Sequence, residues 1–356
     1  VTLNALLNHI GRGLNLARKI PHPVILYRID EIKKHLKKDE HEIFSIISEK
    51  LVISPELTHD PEVALCLHSL MRSVGNPKLE RHFLHVLAVQ LDILSIDTLN
   101  ETPVTTVRRF RDGIILTRRD ATEELRITTH PLDINNNSTT ASGIIFRQIH
   151  SDEFADIDLG DIWDENESPF DGKLNSVLLA TKILHKSLDD LSKELFQCVI
   201  SYILISSELS TGKRHSFNLR LAYPGAIFID PARRPELLVA EDVLHEFIHQ
   251  VLWTSWALNY KSFGDREWGE MIESPFTGNL RPLPVLAQAL FIYNAAALFL
   301  QPHKKNLHWC PKCQARLIEL ENRLPMLLAR IKDKNTSHPA ITELVRIVEN
   351  NYAFIN

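Results

Sequence analysis

The stretch His245-Glu246-Phe247-Ile248-His249 carries two imidazoles four residues apart with a carboxylate between them. On a helix, residues four apart stand one above the other, so both rings can reach a single metal ion. Glu246 adjoins a ligand in sequence and therefore points about a hundred degrees away around the helix. That position suits a general base or an orienting group rather than a third ligand. The helix is expected independently of the motif. Leu237, Ala240, Leu244, Phe247, Ile248 and Val251 follow the spacing of one buried stripe. Pro235 stands where a first turn tolerates proline, and Glu236 follows it near the positive end of the helix dipole. The plain alternative is a pair of satisfied, partly buried histidines, in a chain that has 17 of them. Metal binding is favoured over it because Gly225 to Asp230 reads as a strand just upstream. Glu241 and Asp242 also lie one turn before His245, where a carboxylate can orient a ring nitrogen.

The pair alone does not choose its metal. With a glutamate as third ligand it is a zinc site in which Glu246 activates a metal-bound water, and strand followed by HExxH helix is the zincin order. With one carboxylate and open positions the same histidines suit non-haem iron. Glu267, Glu270 and Glu273 are the downstream carboxylates. Glu270, one long loop beyond His249, is preferred as third ligand, with Glu273 and Gln288 as the other candidates. A second cluster, His308-Trp309-Cys310-Pro311-Lys312-Cys313, contains half a zinc knuckle that His303 and His308 could complete. Without a second CxxC, and without a surrounding βαβ pattern, two reduced thiols near the start of a helix are expected. Asp156 and Asp158 resemble the opening of a calcium loop, but Asp161 stands where such a loop needs glycine.

Composition bounds the rest. A hydrophobic share of 44% and a charged share of 24% belong to a soluble globular chain, long enough at 356 residues for two or three substructures. A net charge of −5 gives no electrostatic reason to expect nucleic acid. The longest apolar run, Val285 to Leu300, contains Gln288 and Asn294 and is short for a bilayer span, so no membrane partner is expected. The four cysteines are mostly isolated and the chain opens without a secretory pattern; a reducing, cytoplasmic setting is the expectation.

The elements that must position these residues can be read coarsely. Residues 1–105 form a helical N-terminal region: a stripe of Leu3, Leu6, Leu7, Ile10 and Leu14, then helices over Glu31 to Leu51, Pro61 to Val74 and Lys78 to Leu94. Residues 106–356 form the metal-binding core. Short β-rich runs occur at Gly113 to Thr117, Leu125 to Thr129 and Gly143 to Phe146, with loops at Asn135 to Ser142 and Asp156 to Asp171. A long helix from Leu174 to about Phe196 precedes strands at Val199 to Ile205, Ser216 to Leu221 and Gly225 to Asp230. After the HExxH helix come a loop-rich stretch, Asn259 to Pro284, and helices over Val285 to Leu300, Arg316 to Ile331 and Ala340 to Asn350. The fold class expected is α+β, mostly helical, with a small zincin-like sheet packed beside the HExxH helix.

Ser274-Pro-Phe-Thr-Gly-Asn-Leu-Arg-Pro-Leu283 runs directly into the apolar helix. Together with the HExxH helix, this resembles the HExxH-type peptide-modification proteins, a family of iron- and 2-oxoglutarate-dependent peptide β-hydroxylases. The match is strongest from about Ala226 to Leu300, and zinc peptidases do not share the Ser274 to Leu283 run. The resemblance implies Fe(II) on His245 and His249, with Arg281 gripping the 2-oxoglutarate carboxylate, a planar guanidinium matching a carboxylate bidentately. It also implies a peptide partner, hydroxylated on a side-chain β-carbon in the maturation of ribosomally synthesised peptide natural products. That peptide would dock along Gly225 to Asp230 as an edge strand. In the family the position that Gln288 occupies here often carries His, with Gln also seen. The runners-up are a zinc hydrolase using Glu246 and a non-catalytic peptide-binding scaffold.

Overall fold

The computed structural model describes residues 2–11, 23–36, 40–54, 57, 61–72, 84, 87–88, 91, 105–106, 117–118, 130–131, 145–148, 170–200, 202–205, 216–217, 225–232, 234–259, 263–334 and 338–352. The chain divides into two compact units, each discontinuous in sequence: Val1–Leu14 with Asp171–Val199 and Ile229–Asn356, and Asn15–Phe170 with Ile200–Phe228. The described residues are mostly helical with small sheets, an α+β chain.

In the first unit the N-terminal helix α1 is Leu3–Ile10, and it buries Leu3, Leu6, Leu7 and Ile10 as the stripe requires. Its cap is Thr2, whose hydroxyl accepts from the Ala5 amide. The second unit begins with α2 (Pro23–His35), α3 (His41–Ile53) and α4 (Pro61–Arg72). Ile25, Ile29 and Ile32 of α2 join Phe44, Ile47 and Leu51 of α3 and Leu67 and Leu70 of α4 in one core. The single helix expected over Glu31 to Leu51 is thus two. The chain breaks after Leu36, whose carbonyl is bonded by the His41 ring at 2.9 Å. Of the helix expected over Lys78 to Leu94, only Leu84, Leu87, Ala88 and Leu91 lie within the described residues, all in the same core.

The second unit also holds a short ribbon of β1 (Thr105–Thr106) and β2 (Thr117–Arg118), paired antiparallel. Its larger sheet is made of β3 (His130–Pro131), β4 (Ile145–Gln148), β5 (Tyr202–Ile205), β6 (Ser216–Phe217) and β7 (Ala226–Ile229), ordered β3-β4-β5-β7-β6. β4 and β5 run parallel with Ile145 opposite Tyr202, while β3 and β4 are antiparallel with His130 opposite Phe146. Between the parallel pair the chain must make a long crossover, and here it passes through the first unit. The sheet corrects one expectation. β7 lies between β5 and β6, so Gly225 to Asp230 does not offer an open edge to a docking peptide. The expected runs at Leu125 to Thr129 and the loop at Asn135 to Ser142 lie outside the described residues, as does nearly all of Asp156 to Asp171.

The rest of the first unit is built from α5 (Phe170–Ser187), α6 (Asp190–Val199) and α7 (Glu236–Asn259), then the short α8 (Asp265–Gly269). Strands β8 (Met271–Glu273) and β9 (Leu280–Pro282) follow, then α9 (Leu283–Leu300), a 3-10 segment, α10 (Pro311–Lys332) and α11 (Pro339–Asn350). The expected long helix from Leu174 to Phe196 is broken at Asp189. There the Asp189 carboxylate accepts from the Ser192 amide at 2.8 Å and its own amide bonds Asn4 at 3.0 Å. A capping carboxylate and a tertiary partner outweigh the apolar stripe, which continues across the break. α9 is apolar on every face and buries Leu283, Leu286, Leu290, Phe291, Ala295 and Phe299 among others. Such a helix belongs to an interior, and α7, α10 and α11 pack around it. By length and composition it could also cross a bilayer, but most of it is covered by the protein.

The stretch expected as loop between α7 and α9 is more ordered than its composition suggests. β8 and β9 form an antiparallel hairpin with Ile272 opposite Arg281. The Ser274 carbonyl accepts from the Gly278 amide at 2.8 Å, and the Asn279 carbonyl accepts from the Ser274 amide at 2.9 Å. Gly278 takes φ 70°, a left-handed conformation that glycine adopts without penalty. The Ser274 to Leu283 run is therefore a turn, a strand and a helix start, with Arg281 on the strand and Pro284 in the first helical turn.

Candidate metal centre

α7 is a helix because Pro235 and Glu236 start it correctly and because Val239, Ala240, Val243, Leu244, Phe247, Ile248 and Val251 are buried along it. Phe247 also meets Phe196 of α6 edge to face, with ring centroids 5.0 Å apart. This packing fixes the rotation of α7 and leaves His245 and His249 half-buried on an adjoining face. Their rings stand 4.9 Å apart, centroid to centroid, and tilted by 63°. Two imidazoles at that separation can converge on one cation.

His249 is oriented by a neighbour on α9. Its Nδ1 lies 3.0 Å from Oε1 of Gln288, which is 1% exposed. An amide oxygen only accepts, so Nδ1 donates and Nε2 keeps its lone pair, the state a metal ligand needs. The other half of the same amide, Nε2 of Gln288, is buried and has no hydrogen-bond partner among the described residues. A buried NH2 group without an acceptor is costly, and an oxygen atom of a bound molecule would satisfy it. His245 is held neutral. Burial pushes its imidazolium well below the ordinary range, and His249, Arg316 and Arg234 add to the effect. Tyr293 of α9 approaches it at 5.9 Å between centroids and stacks on Phe276 of the hairpin turn at 4.0 Å.

Behind the histidines runs a charged network that composition alone does not announce. Glu241, one turn before His245, is 1% exposed. Its Oε1 accepts from Arg316 Nε and Nη2 at 2.8 and 2.7 Å, while Arg316 Nη1 donates to Glu319 at 2.9 Å. The guanidinium also lies 5.3 Å over the Tyr293 ring. Burial alone would lower the Arg316 pKa, but Glu241 and Glu319 outweigh it and hold the group charged. Asp242 pairs with Arg234 at 2.9 Å. Burial nonetheless pushes its carboxyl well above the usual range, and Glu241 and Glu246 push the same way. Glu246 is buried on the helix between the two histidines in sequence. In the sequence Arg316 stands only as the start of the helix expected over Arg316 to Ile331, and no local pattern marks it as the partner of Glu241.

The other candidates stand elsewhere. Glu270 ends α8 and pairs with Lys334 at 2.7 Å, while Glu273 is exposed on β8 near Arg330 at 3.8 Å. Among the described residues no group of three or more His, Cys, Asp or Glu side chains is assembled to hold a metal. The structure thus brings together His245, His249 and Gln288, and does not bring Glu270 or Glu273 to them. Arg281 is exposed on β9, without an ion pair among the described residues, on the strand that leads into the helix bearing Gln288. Cys310 and Cys313, expected as reduced thiols, are joined in a disulfide at the start of α10. That overturns the expectation for this pair: the backbone at the mouth of the helix brings the two Cα atoms to 5.3 Å, within bridging range.

The role of Gln288 has a direct consequence. Gln288→Leu keeps the packing volume but frees the His249 ring to turn, so affinity for a divalent metal is expected to fall about 10–100-fold. Metal titration by competition with a chromophoric chelator checks it; unchanged affinity would mean that the amide does not position the ring. No protein-family model matches the chain, and no curated protein is found as a relative of it.

Proposed function

We propose that the protein is an iron- and 2-oxoglutarate-dependent hydroxylase that acts on a side-chain β-carbon of a peptide, with His245 and His249 as the metal-binding histidines. The observation that carries this reading is the arrangement of the half-buried His245 and His249 with the buried Gln288. The two rings converge, His249 is fixed in the tautomer a metal requires, and Gln288 retains an unmatched donor suited to a ligand oxygen. The donor set fits a divalent cation of the imidazole-binding kind. Fe(II) held by these histidines would, with 2-oxoglutarate and dioxygen as co-substrates, supply an oxidant able to replace a C–H bond by C–OH, one oxygen atom going to the hydroxyl and the other to succinate, with carbon dioxide released.

The chain's own residues have separable tasks in that reaction. His245 stays neutral through burial, so its lone pair is available at ordinary pH. Gln288 keeps the His249 Nδ1 proton in place and offers its amide N–H to a co-substrate oxygen. Arg281, exposed and without an ion pair among the described residues, is the group to bind the distal carboxylate of 2-oxoglutarate. Tyr293, whose phenol burial keeps protonated, and Phe276 line the approach to His245 with aromatic surface that excludes water. Glu241, held by Arg316, fixes the turn of α7 that precedes His245. Glu246 orients the site rather than taking a proton from water. The zincin-like arrangement belongs to the same reading and is supported by the order of elements, β7 and then the HExxH helix.

A zinc hydrolase is favoured by one observation only, the burial of Glu246 beside the histidines. The two readings part at that residue. In a hydrolase Glu246→Gln removes nearly all turnover, because the general base contributes about 10²–10⁴-fold. In the hydroxylase the variant is expected to retain iron-dependent succinate formation from 2-oxoglutarate, measured by mass spectrometry. A variant with full iron and bound 2-oxoglutarate but no succinate would contradict the orienting role.

A further inference from the structure

We propose that Cys310 and Cys313 form a redox-active dithiol–disulfide pair, in which Cys310 is the sulfur that exchanges with an external thiol. The proposal stands apart from the metal chemistry. Its basis is the placement of the pair. The two cysteines are bonded at a sequence separation of three, while Cys66 and Cys198 take no part in a disulfide. A bridge across so short a loop removes little entropy from the unfolded chain, so its value as a staple is small. Cys310 is the N-cap of a 22-residue helix, and its Sγ accepts a hydrogen bond from the Cys313 amide at 3.3 Å. That amide and the positive end of the helix favour a thiolate on Cys310 once the bond opens. Burial sorts the two sulfurs: Cys313 is 1% exposed whereas Cys310 is half-buried, so an incoming thiolate meets Cys310 first.

The exchange balances without a further reagent if the reductant is a small or protein dithiol. One thiolate of the reductant attacks Cys310 Sγ. A mixed disulfide forms, the Cys310–Cys313 bond breaks, and Cys313 leaves with the electron pair and takes up a proton. The second thiol of the reductant, after losing its proton, then attacks the reductant's own sulfur in the mixed disulfide and releases Cys310 as a thiolate. Two electrons pass from the dithiol, now a disulfide, to the protein pair.

The test uses the full chain without denaturant, equilibrated in dithiothreitol buffers of graded ratio, then quenched with acid and alkylated for mass spectrometry. A reversible two-electron transition confined to Cys310 and Cys313 is expected. In the fully reduced protein at pH 6, iodoacetamide is expected to modify Cys310 about tenfold faster than Cys198, as a thiolate stabilised at a helix start requires. In glutathione disulfide, Cys313→Ser is expected to gain one glutathione at Cys310, and Cys310→Ser none at Cys313. A pair that reduces only after unfolding would overturn the proposal. So would a pair that stays reduced in every buffer, a Cys310 no faster than Cys198, or equal glutathione uptake by the two variants.

Discussion

Alanine at His245 or at His249 is expected to abolish stoichiometric binding of a divalent metal while leaving the protein folded. Each substitution removes one of only two imidazoles on the face. The loss in affinity should exceed the roughly 10–100-fold that follows when only an orienting partner is removed. Stability should change by about 1 kcal/mol or less, since both rings are half-buried and the core of α7 lies on Phe247, Ile248 and Val251. Elemental analysis of the purified variants beside circular dichroism melts checks both halves. Full metal occupancy in the doubly substituted protein would remove the site from α7.

The largest effect on stability is expected at Arg316. It is the partner of Glu241, whose side chain is 2% exposed and which sits inside the first unit with one carboxylate oxygen accepting two N–H bonds. Arg316→Ala leaves that carboxylate buried and uncompensated, which costs about 3–5 kcal/mol. Removing both members, as Arg316→Met with Glu241→Leu, should recover most of the loss, because the buried charge and its partner go together. Arg346→Ala provides the contrast. That arginine and its partner Glu343 lie at the surface, and deletion there should leave stability close to that of the unsubstituted protein. Urea melts of the variants measure all of this. An Arg316→Ala penalty as small as that of Arg346→Ala would show that the network is not the buried one described.

Most of the helical framework of the first unit was legible in the sequence because its period is strong. The Leu3, Leu6, Leu7, Ile10 stripe and the α7 stripe are buried as spaced, and the apolar run before Leu300 is an interior helix. The failures have local causes. The helices expected over Glu31 to Leu51 and Leu174 to Phe196 are each interrupted where a polar side chain captures the backbone, His41 in one and Asp189 in the other, while the apolar spacing runs on undisturbed. The hairpin of β8 and β9 was hidden because its strands are three residues long, too short for alternation to register. The second unit gathers Asn15–Phe170 and Ile200–Phe228; such a division depends on long-range packing that no local pattern carries.

At the site, the spacing of His245 and His249 placed both rings on one face, as helix geometry dictates. What the sequence could not supply was the partner across the helix pair. Gln288 reads in the sequence as a candidate third ligand, whereas its oxygen is engaged by the His249 ring and its nitrogen is a buried atom without a hydrogen-bond partner among the described residues. Glu270 was preferred on spacing alone, and a neighbouring lysine, Lys334, sixty-odd residues later in the chain, takes its carboxylate instead. The disulfide at Cys310 and Cys313 depended on the helix beginning at Pro311, five residues before the start read from periodicity.

The central claim is that the histidine pair holds a metal at which 2-oxoglutarate also binds, and calorimetry on protein loaded anaerobically with Fe(II) tests it most directly. The account expects about one equivalent of 2-oxoglutarate to bind per iron, and none in the His245→Ala variant, in keeping with a co-substrate that needs an intact metal site. Wild-type protein that carries its full complement of iron yet binds no 2-oxoglutarate would contradict it.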